Sequence, residues 1–310
     1  MAGDRRMLRG IHTEGLALSM KIMIIGAGGQ LGSELVNILQ DDTLIPLTHI
    51  DIEMTNQEQV NDILSSNMPD VVINTSAYHR VDDCEDNIDK SFSVNAYAVR
   101  TLAKICSELR TVLVHFSTDY VFGGEIQTPY TEDDMPNPMS VYAVSKLAGE
   151  YFARNNCQRH FVIRTCGLYG AKGISGKGGN FVELMLRLAR EKRPIRVVAD
   201  QIVTPTCAKE LAVKVSQLIR TDHYGLYHMT NDGNCSWYEF ARTVFDLTGI
   251  KANLSPTTSE EYGAKAKRPA YSVLENRNLK RLDLDDMRPW REALTEYLSE
   301  KRYIKNGGGF

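Results

Sequence analysis

An α/β architecture is predicted for this chain: a doubly wound parallel sheet followed by a smaller, mainly helical C-terminal lobe. Three observations predict it. Apolar strand-like runs alternate with helical patterns through the first half of the 310 residues, the signature of βαβ units. Those runs are continuously apolar rather than alternating, as expected of strands covered on both faces. A glycine-rich turn stands directly after the first of them.

Lys21–Ile25 is the first run, and a helical pattern follows from Leu31 to Leu39. Leu44–Leu47 and Val71–Asn74 are the second and third strand candidates. Between them Gln57–Leu64 reads as a helix, with Asn56 as N-cap and Val60, Ile63 and Leu64 on one face. Val94–Leu109 is helical, Val112–Phe116 is a nearly all-apolar fourth strand, and Phe161–Arg164 is a fifth. After about Gly170 the alternation loosens. A Gly-rich loop, Gly173–Gly179, precedes helices at Phe181–Glu191, Cys207–Ile219 and Trp237–Leu247, and a last helix lies near Trp290–Leu298.

Composition narrows the classes. A net charge of −3 gives neither a basic nucleic-acid surface nor an acidic tail, so an anionic ligand must be held by local features. No apolar run is long enough to span a membrane, and the first twenty residues lack a secretory h-region. Six cysteines without Cys-x-x-Cys pairs or metal spacing read as reduced thiols. Together these point to the cytoplasm and to no bound metal.

Gly26-Ala27-Gly28-Gly29-Gln30-Leu31-Gly32 places glycines at three-residue spacing between a strand and a helix. Such a turn lets a helix N-terminus aim free N–H groups at a pyrophosphate, which points to NADPH or NADH. After the second strand come Asp51 and Glu53, with His49 and no Arg or Lys nearby. These carboxylates either hold ribose hydroxyls, which leans to NADH, or cap the next element.

Tyr142-Ala143-Val144-Ser145-Lys146 sets a phenol and an ammonium at i and i+4, on one helix face. A nearby cation is expected to lower the tyrosine pKa and suit it to acid–base work. Thr118 follows the fourth strand at the end where ligands bind, and its hydroxyl can hydrogen-bond a substrate oxygen on which charge develops.

In this order these features resemble the extended short-chain dehydrogenase/reductase superfamily and, within it, the dTDP-4-dehydrorhamnose reductase (RmlD-like) family. The similarity runs from Met20 nearly to the C-terminus. It is carried by Gly29-Gln30-Leu31-Gly32, Pro69–Asn74, Val81–Glu85, Ser117–Phe122, Tyr142–Glu150, Asp200-Gln201, Pro205-Thr206, Ser236–Ala241 and Arg268-Pro269. The resemblance implies a Rossmann fold and NAD(P)H-dependent reduction of the C4 keto group of a dTDP-4-keto-6-deoxy sugar. Thr118, Tyr142 and Lys146 would be catalytic. Gly26, Gly29, Gln30, Leu31, Ser76, Ala77, Tyr78 and Asn95 would lie along the cofactor, joined by Asp51 if its carboxylate holds the ribose, and Val81, Asp82, Asp119 and Asn180 near the sugar nucleotide; Arg268 either supplies a cation to the diphosphate or sits in a surface turn. On this reading residues 1–19 are a disordered extension and 20–170 the dinucleotide-binding domain. Residues 171–304 are mostly a substrate lobe with segments returning to that domain, and 305–310 are a flexible tail.

Related dehydratases carry Thr-Asp-Glu where this chain has Thr118-Asp119-Tyr120, so reduction is favoured over loss of water. Gly167 stands where the family has a Trp, so the pocket is either wider or filled by another side chain. The alternatives are a reductase or epimerase of another sugar nucleotide, and a regulatory subunit like that of methionine adenosyltransferase. The intact Thr118, Tyr142 and Lys146 speak against the last. A homodimer is the default assembly of this class. Some members hold an interfacial Mg²⁺; Glu34 and Glu292 are the carboxylates to consider, with plain surface charge the simpler reading. Lys172 and Lys177 could reach a diphosphate or simply be solvated. His79 reads as a rim filler, and Trp237 and Trp290 as packing residues.

Overall fold

The computed structural model describes residues 19–171 and 179–304. Lys172, Lys177, nearly all of the Gly-rich loop, all but the last residue of the 1–19 extension and the 305–310 tail lie outside the described residues.

The first half runs β1 (Lys21–Ile25), α1 (Gln30–Ile38), β2 (Thr43–Leu47), α2 (Gln57–Asn67), β3 (Val71–Asn74), α3 (Val81–Asp86), α4 (Ile88–Phe92), a π-helical turn (Ser93–Tyr97), α5 (Ala98–Glu108), β4 (Val112–Thr118), α6 (Val141–Asn156) and β5 (His160–Thr165). The second half adds β6 (Leu168–Tyr169), α7 (Phe181–Arg190), β7 (Ile195–Val198), β8 (Ile202–Val203), β9 (Thr206–Cys207), α8 (Ala208–Leu218), β10 (Gly225–His228), β11 (Cys235–Ser236), α9 (Trp237–Thr248), β12 (Leu254–Thr257), α10 (Ser259–Tyr262), α11 (Arg277–Lys280) and α12 (Trp290–Glu300). Among the described residues no helix is long and apolar enough to cross a membrane.

The predicted doubly wound sheet is present, with six parallel strands in the order β10-β5-β4-β3-β1-β2. Consecutive residues of each strand feed opposite faces. Ile22 and Ile24 pack with Leu31 and Leu35 of α1 and with Leu211 and Val215 of α8. Met23 and Ile25 pack with Val99 and Leu102 of α5 and Ala153 of α6. Both faces are covered, which explains the continuous apolar runs. The sequence reading missed the sixth strand. Gly225–His228 is four residues long and pairs β5 through the register Gly225↔Phe161. α8 likewise lies on the sheet, against α1.

The Val94–Leu109 segment is helical, but its first turns widen into the π-helical turn, where functional residues often sit. Two clusters beyond the sheet hold the second half together, one around Tyr169, Phe240 and Trp290 and the other around Met185, Ile195 and Phe245. Trp290 is 5% exposed within the first, as its packing reading requires. All six cysteines are buried and unpaired.

Candidate active site

The carboxyl ends of the central strands open into one cleft of about 550 Å³, within the range of small-molecule sites. Gly26, Gly29, Gln30 and Leu31 enter it after β1, Ser76 and Ala77 after β3, and Thr118 and Asp119 from the end of β4. Val81, Tyr142 and Lys146 line it from α3 and α6. β4 and β5 are in register at Thr118↔Thr165, so Thr165, Cys166 and Gly167 follow along the same wall.

Ser140 caps α6 by accepting a hydrogen bond from Ala143 N at 3.3 Å. The helix then carries Tyr142 and Lys146 one turn apart toward the end of β4. Asn95, in the π-helical turn, braces it. Its Nδ2 donates to Ser145 Oγ at 3.0 Å and to the Tyr78 carbonyl at 3.0 Å, while its Oδ1 accepts from Tyr78 N at 2.9 Å. A Cβ on Gly149 would stand 2.2 Å from the Asn95 carbonyl oxygen, so only glycine allows this approach. Gly149→Ala is expected to cost about 1–3 kcal/mol of stability through overpacking, measured by denaturant unfolding; an unchanged midpoint would contradict the contact.

Lys146 is 3% exposed and its Nζ donates to the Phe116 carbonyl at 2.6 Å. Burial lowers its pKa to about 8, opposed by the charge of Glu150. The half-buried Tyr142 behaves differently from the sequence expectation. Burial, then the charge of Asp119, push its phenol well up, and a hydrogen bond with Thr118 works only partly against this. Its ring meets Tyr120 edge-on, with centroids 6.3 Å apart. The phenol is therefore protonated at neutral pH, the state a proton donor needs.

Asp119 is 3% exposed and turns to the protein. Its Oδ2 accepts from Ser272 Oγ at 2.6 Å and Cys166 Sγ at 3.0 Å, and its Oδ1 accepts from Thr118 Oγ1 at 3.1 Å. Burial still raises its pKa. Ser272 lies 153 positions away in sequence, and no local pattern signals it.

Several sequence candidates stand elsewhere. Asn180 caps α7: its Oδ1 accepts from Glu183 N at 3.1 Å, and its Nδ2 donates to the Gly170 carbonyl at 2.8 Å and Tyr297 Oη at 3.1 Å. Both amide hydrogens and one acceptor site of its side chain are thus engaged within the protein. Asp82 and Arg268 face each other, Nη1–Oδ1 at 3.1 Å and Nη2–Oδ2 at 2.9 Å, and the guanidinium holds the Asp82 carboxyl below its ordinary range. Asp51 accepts from Thr48 N at 2.8 Å and Thr48 Oγ1 at 2.7 Å, and Glu53 caps Thr55 in the same way. Neither carboxylate caps the next element, since α2 is capped by Asn56; both are engaged in local turns, while Thr48 and His49 line the cleft. Tyr78 contributes its backbone to Asn95 and its ring to Lys90, 5.1 Å away. His79 is an exposed rim residue. Glu34 is buried, contrary to the surface reading, and accepts from Ala171 N at 3.4 Å, whereas Glu292 is exposed on α12. Among the described residues no group of three or more His, Cys, Asp and Glu could hold a metal ion.

The walls fit a nicotinamide dinucleotide. A Cβ on Gly32 would lie 2.2 Å from the Gly26 carbonyl oxygen, so α1 rests directly on the turn. Its cap is Gly29, which has no side chain to cover the first N–H groups that bind phosphate. Gln30 Oε1, Ser117 Oγ and Thr165 Oγ1 are buried without a protein partner, and all three residues line the cleft. Buried polar atoms are ordinarily paired, so these are ready to meet polar groups of a ligand.

A doubly wound dinucleotide sheet with Thr118, Tyr142 and Lys146 gathered at its carboxyl edge defines the short-chain dehydrogenase/reductase class. Within that class the chain belongs to the RmlD substrate binding domain family, whose pattern matches residues 20–303. It is 41% identical to the spore coat polysaccharide biosynthesis protein SpsK of Bacillus subtilis, over 91% of this chain and 98% of that one. The dTDP-4-dehydrorhamnose reductase of Bacillus anthracis, solved in complex with NADP, superposes with a TM-score of 0.88 at 37% identity, over 91% of this chain and all of that one. The Clostridium acetobutylicum dTDP-4-dehydrorhamnose reductase gives 0.87 at 40% identity, over the same shares.

Proposed function

We propose that this protein reduces the C4 keto group of a dTDP-4-keto-6-deoxy hexose, as a dTDP-4-dehydrorhamnose reductase does. The observation that carries the reading is the convergence of Thr118, Tyr142 and Lys146 on one cleft whose other end is the Gly26–Gly32 phosphate turn. When bound, the nicotinamide supplies the hydride. Tyr142 gives its phenol proton to the C4 oxygen, so the ketone becomes an alcohol. The Thr118 hydroxyl turns from Asp119 to donate to the same oxygen as charge gathers there. Lys146, as an ammonium, offsets the phenolate left on Tyr142 and binds the ribose of the cofactor. Gly26, Gly29, Gln30, Leu31, Ser76 and Ala77 lie along the dinucleotide, and Val81 borders the substrate end. Asn95 acts as a positioning residue for α6 and the Tyr78 backbone.

Purified protein assayed against a panel of dTDP- and UDP-linked 4-keto sugars, with NADH and NADPH in parallel, tests this. Cofactor oxidation confined to dTDP-4-keto-6-deoxy sugars is expected, with the alcohol at C4 identified by NMR. A flat trace with every dTDP-keto sugar refutes the reading.

The same site predicts a pH profile. Lys146 holds its proton below its pKa of about 8 and releases it as pH rises through that value. The ammonium is the working form, so kcat/KM is expected to fall on the alkaline side of about pH 8. A profile flat to pH 10 would remove Lys146 from this role.

A further inference from the structure

We infer that Trp237 is the wall against which the reacting sugar ring lies, and so a residue that selects the substrate; the inference rests on the reductase reading. Trp237 opens α9 directly after β11, which pairs antiparallel with β8. β8 leads into Thr204 and Pro205, which stand where a Cβ on Gly167 would reach, and Gly167 lies two residues beyond the Thr165 that faces Thr118. Thr118, Thr165, Gly167 and Trp237 thus line one cleft.

The indole is held rigidly from behind. Phe181 lies 4.8 Å from it, centroid to centroid, and Phe240 6.2 Å. A capping box, in which Ser236 Oγ accepts from Glu239 N and Glu239 accepts from Ser236 N, fixes the helix start beneath it. Trp237 is nevertheless only half-buried and borders the cleft. Contacts with Phe181 and Phe240 account for the buried part of the ring, and Trp237 brings an aromatic surface to the edge of the cleft. Large rings of this kind supply much contact area at small entropic cost.

Gly167 cannot provide an equivalent surface. Its φ is +54°, and a Cβ there would meet Thr204 O and the Pro205 Cα at 3.1 Å. Position 167 therefore offers no aromatic surface, whereas Trp237 brings one to the same cleft.

Trp237 and Trp290 are the two tryptophans, so a Trp290→Phe variant reports on Trp237 alone. Saturable quenching of its emission by dTDP-glucose, with little change from dTDP, is expected. Equal quenching by dTDP would place the base there and overturn the assignment to the sugar. Binding of dTDP-glucose by calorimetry with silent emission would overturn it as well. In steady-state assays Trp237→Ala should raise the KM of the keto sugar about tenfold, the order expected for one lost stacking face, with the NADPH KM unchanged and Trp237→Phe recovering most of the loss. An unchanged sugar KM in Trp237→Ala refutes the proposal. The titration needs no change at position 237 and reads binding, not turnover. Normal reduction with a silent Trp237 sinks this inference alone; sugar-dependent quenching without any reduction sinks only the reductase reading.

Discussion

Tyr142→Phe is expected to lower kcat by about a hundredfold to ten-thousandfold, the range for loss of a positioned proton donor, while cofactor affinity stays within twofold. In the proposed mechanism the phenol is the proton source; it shares the cleft with Thr118, and its raised pKa keeps it protonated. Removing one oxygen leaves the ring, its edge-on contact with Tyr120 and the fold in place. Stopped-flow measurement of cofactor oxidation, beside a fluorescence titration of cofactor binding, separates the two effects. Normal turnover in this variant would end the acid–base assignment.

The largest loss of stability is expected from Arg164→Met. Arg164 lies in β5 with 2% of its side chain exposed, and Glu150 lies in α6 with 1%. Nε meets Oε1 at 2.9 Å and Nη2 meets Oε2 at 2.7 Å. The guanidinium also stands 5.1 Å from the Phe122 ring centre and 3.4 Å from His228 Nε2. Its charge, after burial, helps to drive the His228 pKa down to about 3. Removing one partner strands a buried charge and costs about 3–5 kcal/mol. Replacing both, as in Glu150→Met with Arg164→Met, is expected to recover most of that. Urea unfolding of the two single variants and the double decides the matter; a double variant as unstable as the sum of the singles would show that the pair is not one unit. Because Glu150 lies one helical turn beyond Lys146, the single variants should also lose turnover beyond their loss of folded protein.

Thr118, Tyr142 and Lys146 were legible in the sequence because each is tied to a local pattern: a strand end, a helical i,i+4 pair and the order in which they occur. The five N-terminal strands were legible for the same reason, as runs of apolar residues between helical periods. What escaped depends on distance along the chain. Nothing near Asn180 marks it as a cap satisfied by Tyr297, and nothing near Asp82 shows that Arg268 neutralises it. Asp119 does reach the cleft, but the partners that engage its carboxylate, Cys166 and Ser272, come from segments that only the fold brings together. The expected fall in the Tyr142 pKa failed for an energetic reason: desolvation of the phenol and the charge of Asp119 push it up, while the ammonium one turn away is directed at the Phe116 carbonyl. Trp237 was read as packing, and its contacts with Phe181 and Phe240 agree with that reading; its place at the edge of the cleft is set by the fold alone.

The sixth strand arrives from residue 225, and this shapes how the molecule must be made. A chain ending at residue 170 would present β5 as a bare edge, with Phe161, Val162 and Ile163, all buried in the full protein, offering unpaired backbone to any passing strand. It would also uncover the side of α1 on which Leu211 and Val215 pack. Such edges invite association between copies. During synthesis the nucleotide half therefore stays open to self-association until β10 has emerged, and attempts to express it by truncation at residue 170 should yield aggregates rather than a free-standing cofactor-binding domain.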